Sequence, residues 1–440
     1  TKDGGYIVGG FSDSNDGDVT GHHGDIYSFD YWVVKLDNTG NIQWQKSLGG
    51  TNSEFGKSIQ QTNDGGYIVA GSSNSIDGDI SGHHGTVTYN DCWIVKLSAT
   101  GNIQWQKSLG GTLDDAADCI RQTIDGGYIV AGYAKSNDGD VSGHHGTTLA
   151  TDSWIVKLDA TGNIQWQKSL GGSEYEGAGS IQQTKDSGYI IASHTRSNDG
   201  DVSGNHSSSI YYSDYWIVKL DVAGNIKWQK CLGGSYEDVP GNIQQTKEGG
   251  YIVTGSARSN DGNVSGNHSS NIYSDAWVVK LNNAGTIEWQ ECLGGTSWDG
   301  GSYIQQAPDG SYINAGFASS KDGDVNGNHG SADYWIVKLS ASGNLISQQP
   351  ILFSNTDNSQ LTNHPINRLT ISPNPVQSIL HLQGLSLNMN YELRIMNEGG
   401  AVIQQASIKN ISSYDMDVSK LASGIYYLLA GEEKIKFVKE

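Results

Sequence analysis

Apolar and polar positions alternate along this chain in runs of about five to eight residues, each bounded by Gly, Asn or Asp, and the same four runs return in the same order. One unit reads SIQQT (from Ser58), GGYIVAG, DYWIVKL and NIQWQKSL. A period of two over such short runs predicts strands rather than helices. In the third run Trp32, Val34 and Leu36 alternate with Tyr31, Val33 and Lys35, so one apolar face is expected to meet the next unit.

The unit recurs around Trp44, Trp105, Trp166, Trp228 and Trp289, at spacings of 61, 61, 62 and 61 residues. A fixed period of this size with four short strands per copy predicts an all-β chain whose residues 1–350 form a β-propeller of four-stranded blades. Six repeats are visible, and the missing strand, or a further blade or two, is expected upstream, because residues 1–5 align with 62–66 and the innermost strand of the first blade is absent. The sixth blade has Ser347 in place of the fourth-strand Trp. Between the third and fourth strands, LDATGN sets Gly where a short hairpin needs positive φ. The glycine pair before the second strand resembles Kelch repeats, and DATGNIQW resembles the tryptophan-docking repeat of quinoprotein propellers. The hairpin is one residue shorter than in the docking repeat, so the resemblance implies the architecture alone.

Composition narrows the partners. A formal charge of −20 argues against a nucleic-acid surface, which needs Lys and Arg to displace counterions. No apolar run of about 18 residues exists, so no transmembrane segment is expected. Cys92, Cys119, Cys231 and Cys292 stand where other repeats carry Ser and are expected to be unpaired small residues.

The loop between the second and third strands has the most chemical character. It reads SNDGDVSGHHG in the third blade and carries Asp16 and Asp18, Asp77 and Asp79, Asp138 and Asp140, Asp199 and Asp201, Asp261 and Asn263, and Asp322 and Asp324 in the six blades. Clustered Asp and Asn oxygens on a glycine-bearing loop are what a hard cation requires, and Ca2+ is the cofactor these loops suggest. The spacing departs from the EF-hand, however, and the same side chains can satisfy a long loop internally as Asx-turns. A histidine follows each first Asp by seven residues, at His23, His84, His145, His206, His268 and His329. The adjacent pairs that include His22, His83 and His144 are expected to point apart in extended chain, which argues against zinc.

A further carboxylate follows each LGG turn, at Glu54, Asp115, Glu176, Asp238 and Asp299, either ringing a channel mouth or capping a turn. Asp30 and Lys35 with their repeats read as architecture. Catalysis on a propeller needs residues that break the symmetry. Those are Glu174, Glu237, His194, Arg196, Arg258 and Trp298, and no catalytic triad can be assembled from them.

After Phe353 the repeat stops. Residues 351–367 are polar and read as a linker, and about seven short strand-like runs follow from residue 368, a spacing typical of a small Ig-like β-sandwich. SPNPV (from Ser372), YELRIMNEGGAVI and DVSKLASGIYYLLAGEEKIKFVKE together resemble the type A sorting domain of type IX secretion cargo. The matching positions are Pro373, Asn374, Pro375, Leu421, Gly424, Tyr426, Tyr427, Lys436, Phe437, Val438 and Lys439. The resemblance implies export across the outer membrane of a Bacteroidetes-type bacterium. Residues 368–440 would engage the translocon, its shuttle protein and a sortase, leaving the protein secreted or attached to the outer surface.

The leading functional expectation is therefore an exported binding or adhesion protein whose propeller face takes a glycan or protein ligand. The alternatives are a secreted polysaccharide-active enzyme, which would gather unlike acids and aromatics in one pocket, and a structural assembly module with an exposed apolar patch.

Overall fold

The computed structural model describes residues 1–348 except 208 and 270, together with 370–372, 375–383, 390–397, 401–409, 413–430 and 433–440. All regular structure among them is β-strand. The chain divides into two compact units, Thr1–Leu352 and Phe353–Glu440. The expected linker and the sorting positions Pro373 and Asn374 lie outside the described residues.

The first unit is a succession of antiparallel sheets, one per repeat. The second blade sets the pattern: Glu54–Gln61, Tyr67–Ser73, Asp91–Leu97 and Ile103–Leu109 pair in sequence order. The third to sixth blades repeat it, and the first has three strands, Tyr6–Ser12, Asp30–Leu36 and Ile42–Leu48. First strands of consecutive blades adjoin one another, so they line the inside of the propeller. The antiparallel order places the short turns 62–66 and 98–102 at one end of a blade, here called the hairpin end, and the long connections 74–90 and 110–114 at the other, the loop end.

One sequence expectation is corrected. The third strand buries both faces rather than one, because each interior blade lies between two others. Trp93, Val95 and Leu97 pack on the preceding blade's Tyr31 and Val33, while Cys92 and Ile94 pack on the next blade's Tyr128, Val130 and Trp154. Equivalent positions in the two terminal blades show what that cover hides: on the second strand Tyr6 is 56% exposed against 2% for Tyr67, and on the third Tyr334 is 81% exposed against 0% for Tyr31.

Fourth-strand tryptophans knit neighbouring blades. The Trp105 ring stands edge-on to Tyr128 at 5.7 Å and lies under the hairpin glycine Gly162. At φ +83 and with the indole 2.8 Å from where a Cβ would be, that glycine admits no side chain. The four cysteines are buried and free, as their Ser-like positions imply.

In the second unit, the described strands form a three-stranded sheet (Thr370–Ser372, Ile379–Gln383, Ser413–Asp417) and a four-stranded one (Asn390–Asn397, Val402–Lys409, Gly424–Ala430, Glu433–Lys439). Leu380, Leu382, Leu393, Ile395, Met416, Leu428 and Phe437 make its core.

Candidate functional site

The DGD loops clamp neighbouring blades. Asp138 accepts the backbone N–H and the hydroxyl of Thr112, both at 2.8 Å, from the turn that follows the preceding blade's fourth strand. Those bonds hold its carboxyl below the ordinary range. Asp140 accepts Gly110 N–H at 3.3 Å and returns its own N–H to the Gly110 carbonyl at 2.8 Å. Asp77 and Asp79, Asp199 and Asp201, Asp261 and Asn263, and Asp322 and Asp324 repeat the arrangement on the turns at Gly49, Gly171, Gly233 and Gly294. Asp16 and Asp18 make no such bond among the described residues. The loop carboxylates are thus brought to turn N–H groups rather than to one another, and among the described residues no three His, Cys, Asp or Glu form a group that could hold a metal ion.

The histidine pairs do not point apart, contrary to the extended-chain expectation. Nδ1 of His145 lies 2.8 Å and Nδ1 of His144 3.6 Å from the carboxylate of Asp152, and His22 with His23 converge on Asp30 in the same way. The reason is local: Gly143 and Gly146 flank the pair at φ 83 and 71, so the backbone curls instead of extending. In the later blades Asn267 and Asn328 turn their amides to the carbonyls of Ala257 and Ala318 instead.

The carboxylates after each LGG turn are caps and do not open on a channel. Glu54 accepts Gly50 N–H at 2.9 Å and the Ser73 hydroxyl at 2.8 Å, and Asp115 accepts Gly111 N–H and Ser136, both at 2.7 Å. Glu54, Asp115, Glu176, Asp238 and Asp299 are all wholly buried.

What distinguishes one part of the loop end is a row of arginines and aromatics on the third to sixth blades. The residue after each second strand donates its backbone N–H to the preceding connection, as Arg196 does to Tyr175 O and Arg258 to Glu237 O, both at 3.0 Å. This holds each side chain beside that connection. The Arg196 guanidinium lies 5.5 Å from the Tyr175 ring, and Arg258 lies 5.7 and 5.9 Å from Tyr212 and Tyr236. Tyr212 and Tyr236 are 5.7 Å apart, and Tyr273 stands edge-on to Trp298 at 5.4 Å. Trp298 is 45% and Tyr211 72% exposed. Among the carboxylates of these connections, Glu237 accepts Ser213 N–H, and Glu176, Asp238 and Asp299 are under the turns.

The sequence named Arg196, Arg258, Glu237 and Trp298 but missed Tyr175, Tyr212, Tyr236 and Tyr273. Tyr175 and Tyr236 stand where other connections carry Asp114 and Asn52, but Tyr212 and Tyr273 share their repeat position with Tyr89 of the second blade, so comparison of the repeats does not single out the group. His194 belongs with the sheet, paired in register with Gly177 and Tyr215, and burial together with Arg196 pushes its imidazole down to about 4.

In the second unit, motifs far apart in sequence meet. Val376 N–H donates to Val438 O at 2.8 Å and Glu440 N–H to Val376 O at 3.0 Å, which seats Val376 beside the terminal strand. Tyr426 stacks on Phe437 at 5.7 Å and donates to Ala422 O, while Leu421 packs on the same core. Pro375 is exposed and Lys439 buried. Gly424 opens a strand opposite Lys439 in ordinary extended backbone.

Residues 370–440 match the family of secretion system C-terminal sorting domains. The chain is therefore a cargo protein of type IX secretion, a β-propeller repeat region followed by the sorting domain that directs export. It is also 29% identical over 142 residues to the regulatory protein FlaEY of Caulobacter vibrioides, a match covering 31% of this chain and 15% of that protein's length. Similar solved structures include Sqt1 from Chaetomium thermophilum (10% identity, 99% of this chain and 93% of that one, TM-score 0.39). Another is the Pan2 WD40 domain of Neurospora crassa (10% identity, 87% and 90%, TM-score 0.38). A third is the extracellular domain of a two-component system protein of B. thetaiotaomicron (10% identity, 93% and 55%, TM-score 0.34). No helix among the described residues is long and apolar enough to cross a membrane.

Proposed function

We propose that this protein is an exported carbohydrate-binding protein whose ligand lies along the loop end of the third to sixth blades. The observation that carries the reading is the row from Tyr175 and Arg196 through Tyr212, Tyr236 and Arg258 to Tyr273 and Trp298. Aromatic rings offer broad, rigid apolar faces to sugar C–H groups, and arginine forks offer fixed N–H donors to ring hydroxyls and carboxylates. In a chain of net charge −20, two arginines gathered with aromatics on one face favour glycans that are neutral or acidic. The row is open and extended, suited to a polymer, and four of its carboxylates, Glu176, Glu237, Asp238 and Asp299, are engaged in holding the loops, which favours binding over hydrolysis.

Residues 368–440 hand the propeller to the translocon and its shuttle protein, and a sortase then fixes it to the outer surface. There an extended glycan-binding face serves adhesion or capture.

The test is retention by soluble polysaccharides in affinity gels. The wild-type protein is expected to be slowed by at least one neutral or uronate-bearing polysaccharide. Arg258→Ala and Trp298→Ala should each weaken that retention tenfold or more, the scale of a removed anchor residue. Equal retention of both variants would refute the site.

A further inference from the structure

Inside the propeller, toward the hairpin end, the first strands enclose a cavity of about 330 Å³, remote from the loop-end row. It is lined by one repeat position taken from four blades: Gln60, Arg121, Gln182 and Gln244. In three of these, Oε1 accepts the backbone N–H of the next blade's first strand: Gln122 to Gln60 at 2.7 Å, Gln245 to Gln182 at 2.7 Å, and Gln306 to Gln244 at 2.8 Å. A backbone N–H can only donate, so the amide orientation is fixed and each Nε2 is left over as a donor.

Arg121 breaks the symmetry. Its Nη1 donates to Ser58 Oγ at 3.1 Å and to its neighbour's carbonyl, Ile120 O, at 2.8 Å. Nε and Nη2 have no partner among the described residues. Three amide NH2 groups and a guanidinium thus line one cavity, with Tyr303 beside them. No carboxylate is among the lining residues.

We infer that this cavity is a second binding site, for a small anion rich in oxygen acceptors, of the size of a sugar acid. The guanidinium pairs with the anionic group, charge-assisted and through two N–H donors, and the glutamine amides donate to the remaining oxygens. The volume lies at the lower end of small-ligand pockets and takes one monosaccharide-sized molecule. Nothing in this inference depends on the loop-end row.

The experiment is titration calorimetry of the full chain with glucuronate, with sulfate and with glucose. The key variant is Arg121→Gln, which installs the residue of the other repeats and gives Gln183 N–H the acceptor that Gln122 and Gln245 already have, so the fold is kept. Saturable binding of glucuronate, none of glucose, and at least a tenfold loss in Arg121→Gln are expected. Binding of sulfate alone with the same loss would keep the anion site and make its occupant a free inorganic anion. No binding of either anion, or equal binding by Arg121→Gln, would overturn the inference, as would loss of binding in Trp298→Ala at the opposite end.

Discussion

Burial pushes the carboxyls of Glu54 and Asp238 up to about 7, and those of Asp115 and Asp275 up to about 6, against roughly 4 in an unfolded chain. Between those values the folded protein binds more protons than the unfolded one, so stability falls as pH rises from about 4.5 to 7.5. The raised His145 and His268, each beside a buried aspartate, act in the same direction, because their stabilisation is lost as pH rises through the folded-state value. The propeller is expected to melt a few degrees higher at pH 5 than at pH 8. Glu54→Gln and Asp238→Asn should each flatten that slope, as scanning calorimetry across pH will show. A melting point that climbs from pH 5 to pH 8 would mean these carboxyls are ionised in the fold. None of this was legible in the sequence, where Glu54 could equally ring a channel, because burial depends on a turn glycine and a hydroxyl nineteen residues away.

At the scale of elements, each DGD loop is a strut between blades. Removing the Asp138 carboxylate takes away the acceptor of Thr112 N–H and of its hydroxyl, and because both are exposed and can turn to water the cost is about 0.5–1.5 kcal/mol. Asp138→Ala should lower the urea midpoint accordingly, while added calcium or chelator moves the melting point by less than a degree. A rise of several degrees with calcium, reversed by chelator, would make the loops cation sites instead. The strand order, the hairpin glycines and the free cysteines were readable because they are set within one repeat. The strut was not, because its partners lie 26 residues apart on different blades. The histidine pair departs from its expected alternation for a different reason: a period of two holds only in extended chain, and two left-handed glycines bend this stretch. Arg196, Arg258 and Trp298 could be picked out because they break the repeat, whereas the tyrosines beside them were hidden among 22 in the chain.

Taken as a whole molecule, the chain joins a rigid repeat scaffold to an address. The sorting family was legible because its motifs stand in a fixed order along the chain, and Val376 of the first motif pairs with the terminal strand. Removing residues 370–440 is expected to retain a folded propeller within the cell envelope, and fusing them to a reporter should send that reporter to the medium or surface, as fractionation and immunoblotting will register. Export of the truncated propeller would place the signal elsewhere. The ligand face is the central claim, and hydrogen exchange with a retained polysaccharide tests it most directly. Amides in residues 173–175, 209–213, 235–237, 271–274 and 297–298 are predicted to gain protection. Protection confined to the hairpin turns 98–102, 159–163 and 221–225, with these connections unchanged, would contradict it.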